Sequence, residues 1–264
     1  MMLSMDTGVS ALEQYQQDIN VIANNVANVN TVGYKESNVN FADTLSETIG
    51  SNAVSSNQVG TGVKIASITS NFSTNGELSG TGVQSDLAIN GNGFFVVKDP
   101  TTGSTYLTQD GTFKEDANGY LINSSGMRLQ GSAGDLQISA GSSSATVSGY
   151  SIATNGTITV DLSDGTTATA GQITLQNCSN PDALVKEGNN LYSTTTAAGS
   201  LTAAVNPGAS GTGTIESGYL EMSNVDLASQ LTDLITAQRA YEANSKVITT
   251  SDTMMQTLVN LKQG

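Results

Sequence analysis

LASQLTDLITAQRAYEANSKVITTSDTMMQTLVNL, residues 227–261, places Leu227, Leu234, Tyr241, Ile248 and Met255 seven residues apart, with Leu231, Ile235, Val247, Leu258 and Leu261 beside them. An apolar residue at every seventh position is the period of a helix that lies along another helix. Ser223, with Asp226 three places on, predicts a capping box at its start. Glu242 and Lys246 stand four apart in the order that favours an ion pair. The segment is therefore expected to be a long helix in need of a partner.

The other end of the chain offers one. Met5, Leu12, Ile19 and Val26 are also seven apart, and Gly8, Tyr15, Ile22 and Val29 follow three places after each. This predicts a helix over about residues 4–29, roughly 38 Å long at ~1.5 Å per residue. Asn20, Asn24 and Asn28 form a separate stripe at a spacing of four. Asparagine costs a helix interior up to ~0.7 kcal/mol. An amide both donates and accepts, so such a stripe can bond to neighbouring helices without charge repulsion between identical copies. Asn25 and Asn30 are expected to help end the helix near Gly33.

Between the ends the period changes. Asn75-Gly76, Asn90-Gly91, Asp110-Gly111, Asn118-Gly119, Asn155-Gly156 and Asp164-Gly165 are dipeptides suited to the positive φ angles of tight hairpin turns. The runs beside them are short and β-leaning: DLAI (86–89), GFFVVK (93–98), STYLT (104–108), GYLIN (119–123), GTITVDL (156–162) and GQITLQ (171–176). The expected fold is mixed: N- and C-terminal α-helices forming a coiled-coil layer, and a central antiparallel all-β domain. The expected domains are 1–30 with 215–264 for the helices, 31–70 for a linker, and 71–214 for the β-rich part. Within the last, residues 193–214 read as a low-complexity loop.

Composition narrows the function. The chain has 28 Gly, 3 Pro, no Trp, no His and only 12% charged residues. Without histidine there is no Ser-His-Asp or Cys-His arrangement, and the acids sit mostly in turns such as SDGT and QDGT. A net charge of -14 argues against nucleic acid, which is held by clustered Lys and Arg. The single Cys178 excludes an internal disulfide, and no ligand set for a metal or cofactor is expected. GTGVK (60–64) lacks phosphate-loop spacing and DLSDG (161–165) lacks the later acids of a calcium loop, so both read as turns. No apolar run approaches the ~18 residues of a membrane span, and the first thirty residues carry no Lys or Arg, so no cleaved signal peptide and no membrane insertion are expected.

IANNVANVNTVGYK (22–35), FADTL (41–45), DLAINGNGFFVV (86–97), GNNLYSTT (188–195) and the segment from Gly218 to Leu261 occur in the order found in the bacterial flagellar axial family of rod and hook proteins, and the chain is similar to that family over nearly its whole length. The tail LEMSNVDL with ITTSD and LVNLK resembles the hook type in its short form. The distal rod type is the alternative, with residues 48–63 short for the longer loop expected of a rod.

The resemblance implies a non-enzymatic structural subunit of a helical tube, bearing torque as a flexible joint if it is a hook. It implies other copies of the chain as partners, together with rod and hook–filament junction proteins, a hook cap during assembly, and the flagellar type III export apparatus. The expected subunit contacts are Met5, Leu12, Tyr15, Ile19, Asn20, Ile22, Asn24, Val26, Asn28, Leu227, Leu231, Leu234, Tyr241, Ile248 and Met255. Phe41 and Leu45 resemble the family's short export signal.

Overall fold

The computed structural model describes residues 2–52, 55–139, 146–199, 201 and 203–263. The chain divides into two compact units: a helical unit of residues through Asn28, Glu36–Ser70 and Val225 onward, and a β unit of Val29–Lys35 with Asn71–Asn224.

In the helical unit, α1 (Met2–Ala27) and α2 (Leu227–Gln263) run antiparallel. Gly8 of α1 lies so close to α2 that a Cβ there would stand 3.1 Å from Ile248 Cγ1, while Asn25 at the far end of α1 bonds to Gln230. The start of α2 is capped by Asp226, whose carboxylate accepts the Ala228 N–H at 2.9 Å, one of the free donors of a helix start. The box expected from Ser223 does not form, because the helix begins only after Asp226. Glu242 and Lys246 are not seen to close an ion pair either; pairs that do form include Lys35–Glu221 and Arg128–Asp135.

The linker expected over 31–70 is largely paired backbone. β1 (Ser37–Asp43), β2 (Ser46–Asn52), β3 (Ser55–Gly60) and β4 (Val63–Ser70) make two antiparallel ribbons, β1 with β4 and β2 with β3. Their sequence alternates too weakly to announce strands, and a register shift at Asn40/Phe41 breaks the period. The first ribbon leans on α1: the Ile65 N–H donates to Gln14 at 3.0 Å and the Phe41 ring lies 5.6 Å from that of Tyr15.

The β unit is antiparallel throughout. Its main sheet follows the order 185–188, 191–193, 105–108, 94–98, 128–131, 121–122, 114–115. Strand Phe94–Lys98 is central because both of its faces are apolar. Side chains alternate across a strand, so Phe95 and Val97 enter the larger core with Leu87, Phe113, Leu129 and Ile158, while Phe94 and Val96 join Phe72, Leu107, Cys178 and Tyr192. A three-stranded sheet of 147–152, 157–162 and 167–172 adds Ile152, Ile158, Val160 and Leu162 to the larger core. Thr214–Ser217 pairs with Leu87–Asn90 and Tyr219–Glu221 with Leu78–Gly80, so residues 214–221 belong to the β unit and not to the helical segment expected from 215.

Gly119, Gly156 and Gly165 adopt φ near +80°, as hairpin turns require. Gly76 and Gly111 do not: a Cβ on either would run into the carbonyl of Met222 or Leu87, so glycine serves close backbone approach there.

Candidate assembly interface

The two helices meet through small and polar side chains. On α2 the covered line is Gln230, Ala237, Asn244 and Ser251, seven apart; Gln230 and Ala237 are 3% exposed. On α1, Gly8, Ala11, Ile22 and Asn25 are buried. The apolar seam expected to be the contact is only partly used. Met5, Leu12, Tyr15, Ile19, Val26, Leu234, Ile248 and Met255 are half-buried, whereas Leu227, Leu231 and Tyr241 are exposed. Ile235, Val247, Met254, Leu258 and Leu261 are exposed as well, Leu261 by 79%. Burying such a side chain from full exposure stabilises by ~1.5–3 kcal/mol, and as most of these are about half exposed, covering each adds roughly half that, so an apolar driving force remains on α2.

Asn25 does not end the helix. It is 1% exposed, donates to the Ser37 carbonyl at 2.9 Å and to Gln230 Oε1 at 3.0 Å, and accepts the Ser37 N–H at 3.0 Å. Gln230 in turn donates to Glu36 Oε1 at 2.7 Å. One buried amide thus ties α1, the start of β1 and the start of α2. Asn20 and Asn24 are exposed and Asn28 is half-buried, with the Asn28 amide donating back to the Asn24 carbonyl at 2.9 Å.

Beside this clamp, Asp18, Asn25, Phe41 and Asp233 line a hollow of about 210 Å³. Burial, then the nearby Asp233, pushes the Asp18 carboxyl above the ordinary range; burial, then Asp233 and Asp226, does the same to Glu36. Of the residues resembling an export signal, Phe41 is in contact with Tyr15 and Leu45 is 89% exposed.

A second clasp lies within the β unit. The Lys35 ammonium stands 2.8 Å from the Glu221 carboxylate, both side chains 1% exposed. The same carboxylate accepts the Gly76 N–H at 2.9 Å, and Lys35 also donates to the Thr74 carbonyl at 3.3 Å. Gly33 N–H donates to the Glu221 carbonyl at 2.8 Å, and the Asn224 amide donates to the Asn71 and Thr74 carbonyls at 3.0 Å. Lys186 lies 4.9 Å from the Tyr34 ring and donates to the Lys35 carbonyl at 3.5 Å; its burial lowers its pKa. Residues 29–35, 71–76 and 221–224, where the chain enters and leaves this unit, are therefore fastened to one another. Sequence reading missed both clasps. The visible signal was a lysine and a glutamate embedded in uncharged stretches, TVGYK and GYLEMSN.

Among the described residues no group of three His, Cys, Asp or Glu is placed to hold a metal ion, and no described helix is long and apolar enough to cross a membrane. The chain thus presents one unit of short antiparallel strands and one of two terminal helices whose apolar flanks the unit itself leaves uncovered.

Comparison with known proteins agrees. Residues 5–35 match the model "Flagella basal body rod protein", 88–160 "Flagellar hook protein FlgE/F/G D1 domain", and 216–261 "Flagellar basal body rod FlgEFG protein C-terminal". The chain is 40% identical to the flagellar basal-body rod protein FlgG of Bacillus subtilis over the whole of both chains, and 35% identical to that of Borreliella burgdorferi, again over the whole of both. It is 43% identical to the flagellar hook protein FlgE of Treponema pallidum, but across 50% of this chain and 30% of that one. The chain belongs to the flagellar rod and hook family, whose members are structural components of the bacterial flagellum.

Proposed function

We propose that this chain is the distal rod subunit of the flagellar basal body, polymerising into a helical tube. The observation that carries the reading is end-to-end similarity to rod proteins, set against similarity to a hook protein over half the chain. This reverses the order taken from the tail motifs. The alignment to the Bacillus subtilis rod protein takes in the whole of this chain, the stretch 48–63 included. A rod also suits the paired ribbons of residues 37–70 better than a flexible joint does, because hydrogen-bonded strands resist the bending that an open linker allows.

In this reading Met5, Leu12, Tyr15, Ile19, Ile22, Val26, Leu227, Leu231, Leu234, Tyr241, Ile248 and Met255 supply apolar contacts within and between copies, and Asn20, Asn24 and Asn28 supply amide contacts. Polymerisation and final ordering of the helices are coupled, since a lone helix pair is marginal in water. Its partners are further copies, the adjoining rod and hook proteins, and the export apparatus, for which Phe41 and Leu45 act as a signal while the chain is unfolded.

Basal bodies from cells lacking this chain should be without the distal rod as well as the hook. A complete rod missing only its hook overturns the assignment. For the coupling, amide exchange on verified monomer should be fast across residues 5–26, and strong protection there refutes it.

A further inference from the structure

Helix α2 carries two apolar flanks that α1 leaves open, and they differ. At about 100° per residue, Leu231 and Ile235 lie about 100° and 140° to one side of Ile248, and Val247, Met254 and Leu261 lie about 100°, 120° and 140° to the other. Leu231, Ile235, Val247 and Met254 are 45–53% exposed. The second flank contains a hollow of about 270 Å³ lined by Val247, Thr250, Ser251 and Met254, with Lys246 at its rim. Positions i, i+3, i+4 and i+7 of one helix are the four corners of the hole that receives a single knob from a facing helix. The line Ala240, Val247, Met254, Leu261 carries no acid, and the charge at the rim is a cation, so a copy of net charge -14 meets no like charge there.

We propose that the hollow is filled by Leu231 of a second copy, whose α2 lies parallel and shifted by about 20 residues, or ~30 Å along the helix. In that register Ile235 of the second copy reaches Met254 and Leu258, and its Asp226 stands level with Lys246. The contact joins two unlike faces, so each copy offers a free knob at one end and a free hollow at the other, and the series stays open instead of closing into a dimer. The inference rests on the polymer reading above and adds to it the identity and polarity of one contact.

The test uses full-length chain with Cys178→Ser throughout. Unmodified chain is first checked for tubes by electron microscopy; their absence refutes the polymer reading itself and the contact with it. Tubes co-assembled from Leu231→Cys and Thr250→Cys copies are then treated with a short bismaleimide. The expected product is a dimer containing one copy of each kind, and a doubly substituted chain gives a ladder. Dimers formed by either single variant alone mean that like faces meet. Tubes without mixed dimers mean that α1 or another protein fills the hollow. Either result overturns the proposal.

Discussion

Removing one member of the Lys35–Glu221 pair should unfold the β unit far more easily than its small size in the sequence suggests. Both side chains are 1% exposed, so Glu221→Ala leaves an ammonium in a site closed to water and also strips the Gly76 N–H of its acceptor. Breaking a buried pair from one side costs about 3–5 kcal/mol. With a urea dependence of ~2 kcal/mol per molar, the midpoint of the β unit should fall by about 1.5–2.5 M. The tyrosine near-ultraviolet dichroism reports this unit, since Tyr34 and Tyr192 lie inside it. The double replacement Lys35→Met with Glu221→Leu removes both charges and should recover most of the loss, as apolar replacements of buried pairs do elsewhere. A single variant whose midpoint moves by less than ~0.5 M, about 1 kcal/mol on this slope, would refute the reasoning. So would a double variant no better than the single.

Asn25→Ala removes the amide that joins α1, β1 and α2, and in assembled tubes, where the helical unit is ordered, should cost about 1–3 kcal/mol for the groups left unpaired, read as a lower helical melting temperature of the tubes at 222 nm. The carboxyls of Asp18 and Glu36 have raised pKa values in the folded state, so the folded helical unit holds protons that the unfolded chain gives up. Its stability in assembled tubes should therefore fall as pH rises from the ordinary carboxylate range through the raised values, and Asp18→Asn should flatten that slope in melts of the tubes followed across acid pH. The β unit should respond in the opposite sense. Hydrogen bonds from Thr101 and Thr102 lower Asp99, and those from Gln130 and Arg128 lower Asp135, so its stability is lost as pH falls through these depressed values. Gly111→Ala puts a methyl into the Leu87 carbonyl, and should destabilise the β unit by about 1–3 kcal/mol or more in the same urea assay.

The helices were legible because seven-residue spacing survives in composition whatever packs against it, and the β unit because its Asn-Gly and Asp-Gly turns punctuate β-branched runs. The contact surface was less legible. Large apolar residues at heptad spacing drew attention to Leu227 and Leu231, yet the buried positions of α2 include Ala237 and Ser251, and Gly8 of α1 lies against Ile248 and Asn244, where the missing side chain lets the helices come close. Apolar periodicity marks what can be buried, and in a self-associating chain only part of that is buried by the chain itself. Asn25 was misread because its propensity speaks for a helix end, while three hydrogen bonds made across 12 and 205 residues of sequence decide its place. Residues 37–70 pair through backbone with little apolar alternation, so the sequence offered no period to read there.

The clasp between Lys35 and Glu221 spans 186 positions of sequence. On the proposed export route it would therefore also act as a timing element. A chain threaded through a narrow passage end first delivers one member of the pair long before the other, whichever end leads. The β unit cannot be sealed until nearly all of it has come through, and contacts so distant in sequence form late in any case. On the proposed export route, the ion pair that fastens the finished body would therefore be among the last contacts to close.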